Sequence, residues 1–188
     1  KFFLFGKLMQ ATILFDLDGT LIDSTEAIVE SFCHAFETFG KKAPDREAIC
    51  ERIGFTLEDT FFYLGVDRGL VDEYVMTYKE NYRKISREKT FVLDGAAEAI
   101  EVASSFARLG IVTTKTARYS KELLEHMNVM HYFETLVGRE DVVNVKPDKE
   151  PILKALSNLS HPIHEKNDIW MIGDTFLDID AAKNAEIK

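Results

Sequence analysis

Asp16 and Asp18 stand two apart in Asp16-Leu17-Asp18-Gly19-Thr20, directly after the apolar run Thr12-Ile13-Leu14-Phe15. In an extended segment such residues point the same way, and two carboxylates held that close repel. A hard cation with oxygen ligands relieves the repulsion. Mg²⁺ suits a site where few protein carboxylates share the metal with a phosphate. A carboxylate is also a nucleophile toward phosphorus, but charge opposes the attack. Two unit charges ~4 Å apart repel by about 4 kcal/mol at an effective dielectric of about 20, and a phosphate dianion roughly doubles that. Each ~1.4 kcal/mol is about tenfold in rate, so countercharges are required. Lys146, in Val145-Lys146-Pro147, offers one. Asp174, in Gly173-Asp174-Thr175, offers a further metal ligand, with Asp178 one helical turn beyond it. Thr113 and Thr114 close another apolar run and carry hydroxyls and main-chain donors.

These residues need a scaffold that gathers them. Thr12–Phe15, Leu109–Val112 and Ile169–Ile172 are short, non-alternating apolar runs, each passing into polar residues and a turn. They read as strands buried on both faces, the signature of a parallel sheet. Thr135-Leu136-Val137-Gly138 reads as another. Helical spacing appears in Ala96-Ala97, Ala99-Ile100, Ala103 and Phe106-Ala107, in Leu123-Leu124 with Met127, and in Ile152-Leu153 with Leu156. The alternation predicts an α/β fold with a doubly wound, Rossmann-like parallel sheet. In such a sheet the carboxyl ends of the strands share one edge, and ligands bind in the crevice there. Asp16, Asp18, Thr113, Thr114 and Asp174 are expected to meet at that edge, with Lys146 within reach.

From about 24 to 88 the rhythm changes. Asp23 is expected to cap a helix with Glu26 as its return partner, and Ile28, Phe32, Ala35-Phe36 and Phe39 form its apolar stripe up to Gly40. Helical pieces follow near Arg46–Arg52, Leu57–Leu64 and Leu70–Lys84. The segment reads as an all-helical insertion whose aromatic residues build a small core of their own. The expected division is 1–22 and 89–188 for the sheet domain and 23–88 for the helical one.

Composition excludes other classes. The chain has 188 residues, 23 basic against 32 acidic, and a formal charge of −9. Nucleic acid is not an expected partner, because phosphate backbones select basic stripes. No stretch approaches the ~20 apolar residues of a membrane span. Cys33 and Cys50 match no metal or redox spacing and read as free thiols in a reducing cytoplasm. Met9 is the expected natural start. His161-Pro162-Ile163-His164 offers two histidines without a third ligand, so no zinc site is expected. Lys115 and Arg118 read as surface charges.

Four segments together resemble the phosphatase branch of the haloacid dehalogenase superfamily, in that family's order and over nearly the whole chain. They are Asp16-Leu17-Asp18-Gly19-Thr20-Leu21-Ile22-Asp23-Ser24, then Thr113, then Lys146-Pro147, then Gly173-Asp174-Thr175-Phe176-Leu177-Asp178. The pattern is closest to phosphoglycolate phosphatase-like members. The resemblance implies Asp16 as nucleophile and metal ligand. It implies Asp18 as general acid and then base, its main-chain carbonyl also on Mg²⁺. Thr113 and the Thr114 backbone would hold phosphate oxygens, Lys146 would pair with phosphate and Asp16, Asp174 would bind Mg²⁺, and Asp178 would support the site from behind. The insertion would be a helical cap, with Arg52, Gly54 and Phe55 in its specificity loop. Two motifs depart from the usual form: Thr113-Thr114-Lys115 replaces Thr-Asn-Lys, and Asp148-Lys149 follow Lys146-Pro147 where a second Pro is common. The family usually continues past the fourth motif into another strand and helix, whereas this sequence stops at Lys188.

The implied activity is Mg²⁺-dependent hydrolysis of a small phosphate monoester through a phospho-aspartate. The expected partner is a small phosphorylated metabolite, and the expected state is monomer or homodimer. A phosphosugar mutase or a pyrophosphatase on the same scaffold is the alternative. Dehalogenation needs neither a second acid nor a metal, so Asp18 and Asp174 argue against it. A purely binding role would be marked by degraded motifs, and none of the four is degraded.

Overall fold

A computed structural model describes residues 11–160 and 168–188. The expectations for Met9 and for His161–His164 lie outside them. Four strands, β1 (Ala11–Phe15), β4 (Ala107–Val112), β5 (Thr135–Val137) and β6 (Ile169–Ile172), form one sheet in the order β5-β4-β1-β6. All its pairings are parallel. Numbered among themselves these strands run 3-2-1-4, so the chain reverses direction across β1, and the crevice of a doubly wound sheet opens beside that strand.

Both faces of the sheet are covered. Ile13, Phe15, Leu109 and Ile111 pack with Ile100 and Ala103 of α5 (Ala96–Ser104) and Leu124 of α6 (Ala117–His126). Leu14, Val112 and Ile169 point the other way. They meet Ile152 and Leu156 of α7 (Glu150–Asn158) and Ala181 and Ala185 of α8 (Phe176–Ala185). The period-2 pleat thus explains the unbroken apolar runs, since neighbouring residues serve opposite cores. Ala107 begins β4, although helical spacing had carried α5 through Phe106-Ala107. The helix stops at Ser104 and the chain turns through Ser105 into the strand. Lys188 runs along the outer side of β6, donating its N–H to the Ile169 carbonyl (3.1 Å) and accepting from the Met171 N–H (2.8 Å).

Four helices follow β1: α1 (Thr25–Thr38), α2 (Arg46–Cys50), α3 (Leu57–Tyr63) and α4 (Val71–Ile85). They share an aromatic centre in which Phe61 meets Phe32 at 4.6 Å, Tyr74 at 5.5 Å and Tyr78 at 6.2 Å between ring centroids. Two short antiparallel strands, β2 (Ile22–Asp23) and β3 (Phe91–Val92), pair where the chain enters and leaves this helical layer. Ser24, not Asp23, occupies the N-cap of α1. Asp23 sits in β2 and accepts from the Thr25 N–H instead (2.9 Å), while Glu26 pairs with Arg46 at 2.9 Å. Among the described residues no helix is long and apolar enough to cross a membrane.

Candidate active site

β1 ends at Phe15, so Asp16 emerges at the carboxyl edge of the central strand, its N–H held by the Ile172 carbonyl of β6 (2.8 Å). Lys146 reaches the same place from the segment before α7. Its ammonium lies 2.7 Å from Asp16 Oδ1 and 2.6 Å from Asp178 Oδ1. All three residues are buried. Asp178, in the first turn of α8, spends its other oxygen on the Thr175 N–H (3.1 Å) and hydroxyl (2.8 Å).

The electrostatics follow from that crowding. Burial, reinforced by the neighbouring Asp178 and Asp18 charges, pushes Asp16 up to about 6, against the pull of Lys146. Burial works to lower Lys146, but its two carboxylates outweigh it and hold the ammonium above its ordinary value. Of the three groups Asp16 is the one whose charge burial disfavours most visibly, even with Lys146 beside it.

Asp16, Asp174 and Asp178 present carboxylate oxygens all within 4.8 Å of one another. An oxygen-only set of this kind suits a hard divalent cation. Asp174 is exposed and accepts from the Thr20 hydroxyl (3.0 Å). Its place depends on Gly19, whose φ is +84° and whose Cβ, were there one, would fall 2.3 Å from Asp174 Oδ2. Gly173 serves Asp178 similarly, since a Cβ there would lie 2.2 Å from Asp178 Cγ. Gly19 thus lets the first motif approach the fourth, and Gly173 makes room for Asp178 within the fourth.

Asp18 parts company with Asp16. Past Leu17 the chain curls, the Leu17 carbonyl accepting from the N–H groups of Leu21 and Ile22. The Asp18 carboxylate therefore turns toward the helical layer. It accepts from the Ser24 hydroxyl and lies 3.2 Å from Lys115 Nζ. Lys115 is not the surface charge its sequence context suggested. Only 12% of its side chain is exposed, and its ammonium sits 4.4 Å over the Tyr82 ring of α4. Burial opposes its charge, but Asp18 together with the Tyr82 and Tyr78 side chains outweighs it, so its titration is raised. Arg118 is exposed, on Glu122.

Thr113 is buried at the end of β4. Its N–H donates to Val137 and its hydroxyl accepts from the Lys115 N–H (3.1 Å). Thr114 donates its hydroxyl to the Gly54 carbonyl (2.9 Å), tying the sheet edge to the loop between α2 and α3. In that loop the Arg52 guanidinium lies 3.5 Å over the Phe55 ring, and Phe55 meets Phe176 edge-on at 5.9 Å. Arg52, Gly54 and Phe55 line a cavity whose floor includes Asp18, Thr114 and Lys115. Ser24, Tyr82 and Arg139 belong to this neighbourhood too and were missed. Lys115 alone carried a signal, because residues 113 and 115 share a side of an extended segment.

The arrangement is a buried carboxylate beside a cation, an oxygen ligand set, and a second carboxylate two residues on facing a cavity. Known proteins share its scaffold. Pyrophosphatase PpaX of Halalkalibacterium halodurans is 36% identical over 94% of this chain and 80% of its own length. A haloacid dehalogenase-like family hydrolase of Streptococcus pneumoniae superposes with a TM-score of 0.84 at 26% identity, over 95% of this chain and 82% of that one. A Lactobacillus plantarum protein assigned provisionally as a phosphoglycolate phosphatase gives a TM-score of 0.85 over 94% and 83%. At 22% identity that last likeness concerns the fold alone. Residues 13–188 match the haloacid dehalogenase-like hydrolase family as a whole, and the chain belongs to that family.

Proposed function

We propose that this chain is a Mg²⁺-dependent phosphatase acting on a small phosphorylated metabolite, with Asp16 as nucleophile. The observation that carries the reading is the Asp16–Lys146–Asp178 bridge beside Asp174, on adjoining strand ends. Asp16 and Asp174 would hold the cation, with the Asp18 main-chain carbonyl. When bound, Mg²⁺ supplies positive charge that offsets the phosphate and the carboxylates. Lys146 engages Asp16 Oδ1, which leaves Oδ2 to attack. A bond forms from Asp16 Oδ2 to phosphorus as the bond from phosphorus to the leaving oxygen breaks, and that oxygen takes a proton from Asp18. Asp18 then removes a proton from water. The water oxygen bonds to phosphorus, the Asp16–phosphorus bond breaks, and inorganic phosphate leaves with the Asp16 carboxylate restored. Thr113 and the Thr114 backbone hold phosphate oxygens. Free Cys33 and Cys50 suit a cytoplasmic setting.

Pyrophosphate is the second reading, favoured by the relative named as a pyrophosphatase. Both readings use the same nucleophile. Asp16→Asn should abolish Mg²⁺-dependent phosphate release from every substrate. Turnover that survives this change refutes the assignment. Phosphorus NMR of the products separates hydrolysis from phosphosugar isomerisation, and parallel assays on pyrophosphate and monoesters rank the two substrate classes.

A further inference from the structure

Three of the buried polar atoms without a hydrogen-bond partner among the described residues gather around one cavity. They are Arg52 Nε, Arg139 Nε and the Tyr82 hydroxyl. Each comes from a different part of the chain: the loop after α2, the residue following Gly138 at the end of β5, and α4. Buried donors without acceptors cost about 1–3 kcal/mol each, so such atoms call for a ligand. The same cavity carries four cations, Arg52, Lys79, Lys115 and Arg139, against the carboxylates Asp18 and Glu58. That excess of positive charge lies within a chain of net charge −9. Lys115 is matched by Asp18, while among the described residues Arg139 uses one guanidinium nitrogen, on the Val142 carbonyl at 3.4 Å.

We infer that this cavity is a second anion subsite, and that the substrate's leaving group carries its own negative charge, read by Arg139, Arg52 and Tyr82. The inference rests on the phosphatase reading for one point only, that the cleaved phosphate sits at Asp16. Asp18 lies on the cavity wall, so a leaving oxygen next to Asp18 places whatever follows it inside the cavity. A neutral sugar or aryl group there would leave the guanidinium donors unpaired. A carboxylate or a second phosphate satisfies them by charge-assisted hydrogen bonds. Arg139 and Tyr82 are thereby specificity residues of this chain, outside the four motifs.

The test compares wild type, Arg139→Gln and Tyr82→Phe on three compounds: pyrophosphate, phosphoglycolate and p-nitrophenyl phosphate, whose leaving group is aromatic. Arg139→Gln should lower kcat/KM at least about tenfold for one or both of the first two and less than about threefold for the third. The compound that suffers identifies the anion as phosphate or carboxylate. Tyr82→Phe removes one oxygen. It should raise KM for the same compound, with circular dichroism confirming that the fold is kept. Equal losses on all three compounds, or none on any, overturn the inference. Calorimetric binding of pyrophosphate and phosphoglycolate to the full chain keeps the test independent of turnover. If wild type hydrolyses nothing, weaker binding by Arg139→Gln still supports the subsite, and unchanged binding or none at all removes it.

Discussion

On the sheet side of the segment joining Asp16 to Asp18, buried groups have partners: Lys146 touches two carboxylates, and Asp178 uses both its oxygens. On the helical side, around Asp18, the described residues form one ion pair and leave three buried polar atoms without a hydrogen-bond acceptor or donor. The first region is organised before any ligand arrives, and its cost appears as the raised titration of Asp16. The second is left incomplete. A site that must always perform the same step gains from preorganised charge, whereas a surface that must choose among ligands gains from groups that only the right ligand satisfies. The split between matched and unmatched groups therefore divides chemistry from selection.

The largest expected effect breaks the matched side. Lys146→Ala leaves Asp16 and Asp178 buried with no shared cation. Removing one partner of a buried pair costs about 3–5 kcal/mol, and losing the charge beside the nucleophile should lower turnover about a thousandfold. Denaturant unfolding and phosphate release measure the two losses. A stable, active Lys146→Ala protein would mean that the bridge is not what holds this region together.

The burial of Asp16 makes a sharper claim about pH. Its folded value near 6 exceeds its ordinary 3.8, so between those values the folded chain binds more protons than the unfolded one. The stability this group contributes is present below about 4 and is lost as pH rises through about 6. The full difference is about 3 kcal/mol. In metal-free buffer Asp16→Asn should therefore be more stable than wild type at pH 7, and the gap should close toward pH 4. Mg²⁺ should raise the wild-type melting temperature and raise the variant's less. Parallel thermal scans across pH settle both. A wild type that outlasts the variant at pH 7 without metal contradicts the burial-raised titration of Asp16.

The two regions also differed in how much of them could be read from residues. The sheet side was legible. Runs such as Thr12–Phe15 and Ile169–Ile172 mark buried parallel strands, and a parallel sheet places their polar tails on one edge by geometry alone. Lys146 was found because it shares a short motif with Pro147. The helical side was not legible in the same way. Tyr82 lies on a helix whose aromatic residues all read as core.

 Tyr74, Tyr78 and Tyr82 all belong to that core, and nothing in the local pattern sets the Tyr82 hydroxyl apart. Arg139 follows a strand end like any turn residue. Lys115 was read as solvated because a lone lysine usually is, and its burial depends on α4 folding back over β4's end, a contact between residues far apart in the chain. The direction of Asp18 was hidden for a local reason. The turn at Leu17 ends the extended geometry on which the two-residue spacing rested.

Lys115→Met tests whether the one completed ion pair of the helical side belongs to chemistry or to stability. The substitution takes the cation from Asp18 and keeps an apolar stem of similar length beneath Tyr82. The lost attraction and the relieved burial of charge offset each other in folding, so the melting temperature should change little. Turnover should fall about tenfold, because Asp18 then keeps only the Ser24 hydroxyl to orient it. Lys115→Arg, which retains the charge, should recover part of the loss. A large drop in melting temperature with normal turnover in the folded fraction would move Lys115 from the site to the scaffold.

The smallest expected effect concerns an aromatic contact between the two regions. Phe55, from the loop that carries Arg52, meets Phe176, which directly follows Thr175 at the start of α8. Aromatic pairs are worth about 0.5–1.5 kcal/mol beyond their burial, and the exposure of Phe176 places this one at the lower end. Phe176→Ala should therefore leave the Asp16–Lys146–Asp178 bridge intact and kcat nearly unchanged, while the loop is held less firmly against the sheet edge. The consequence is a KM raised about two- to threefold, larger for substrates that use Arg52 than for p-nitrophenyl phosphate. Initial rates across substrate concentration read this directly. An effect on kcat of the size expected for Lys146→Ala would show that the loop contact supports the nucleophile itself, and the division between matched and unmatched sides would not hold at this point of the molecule.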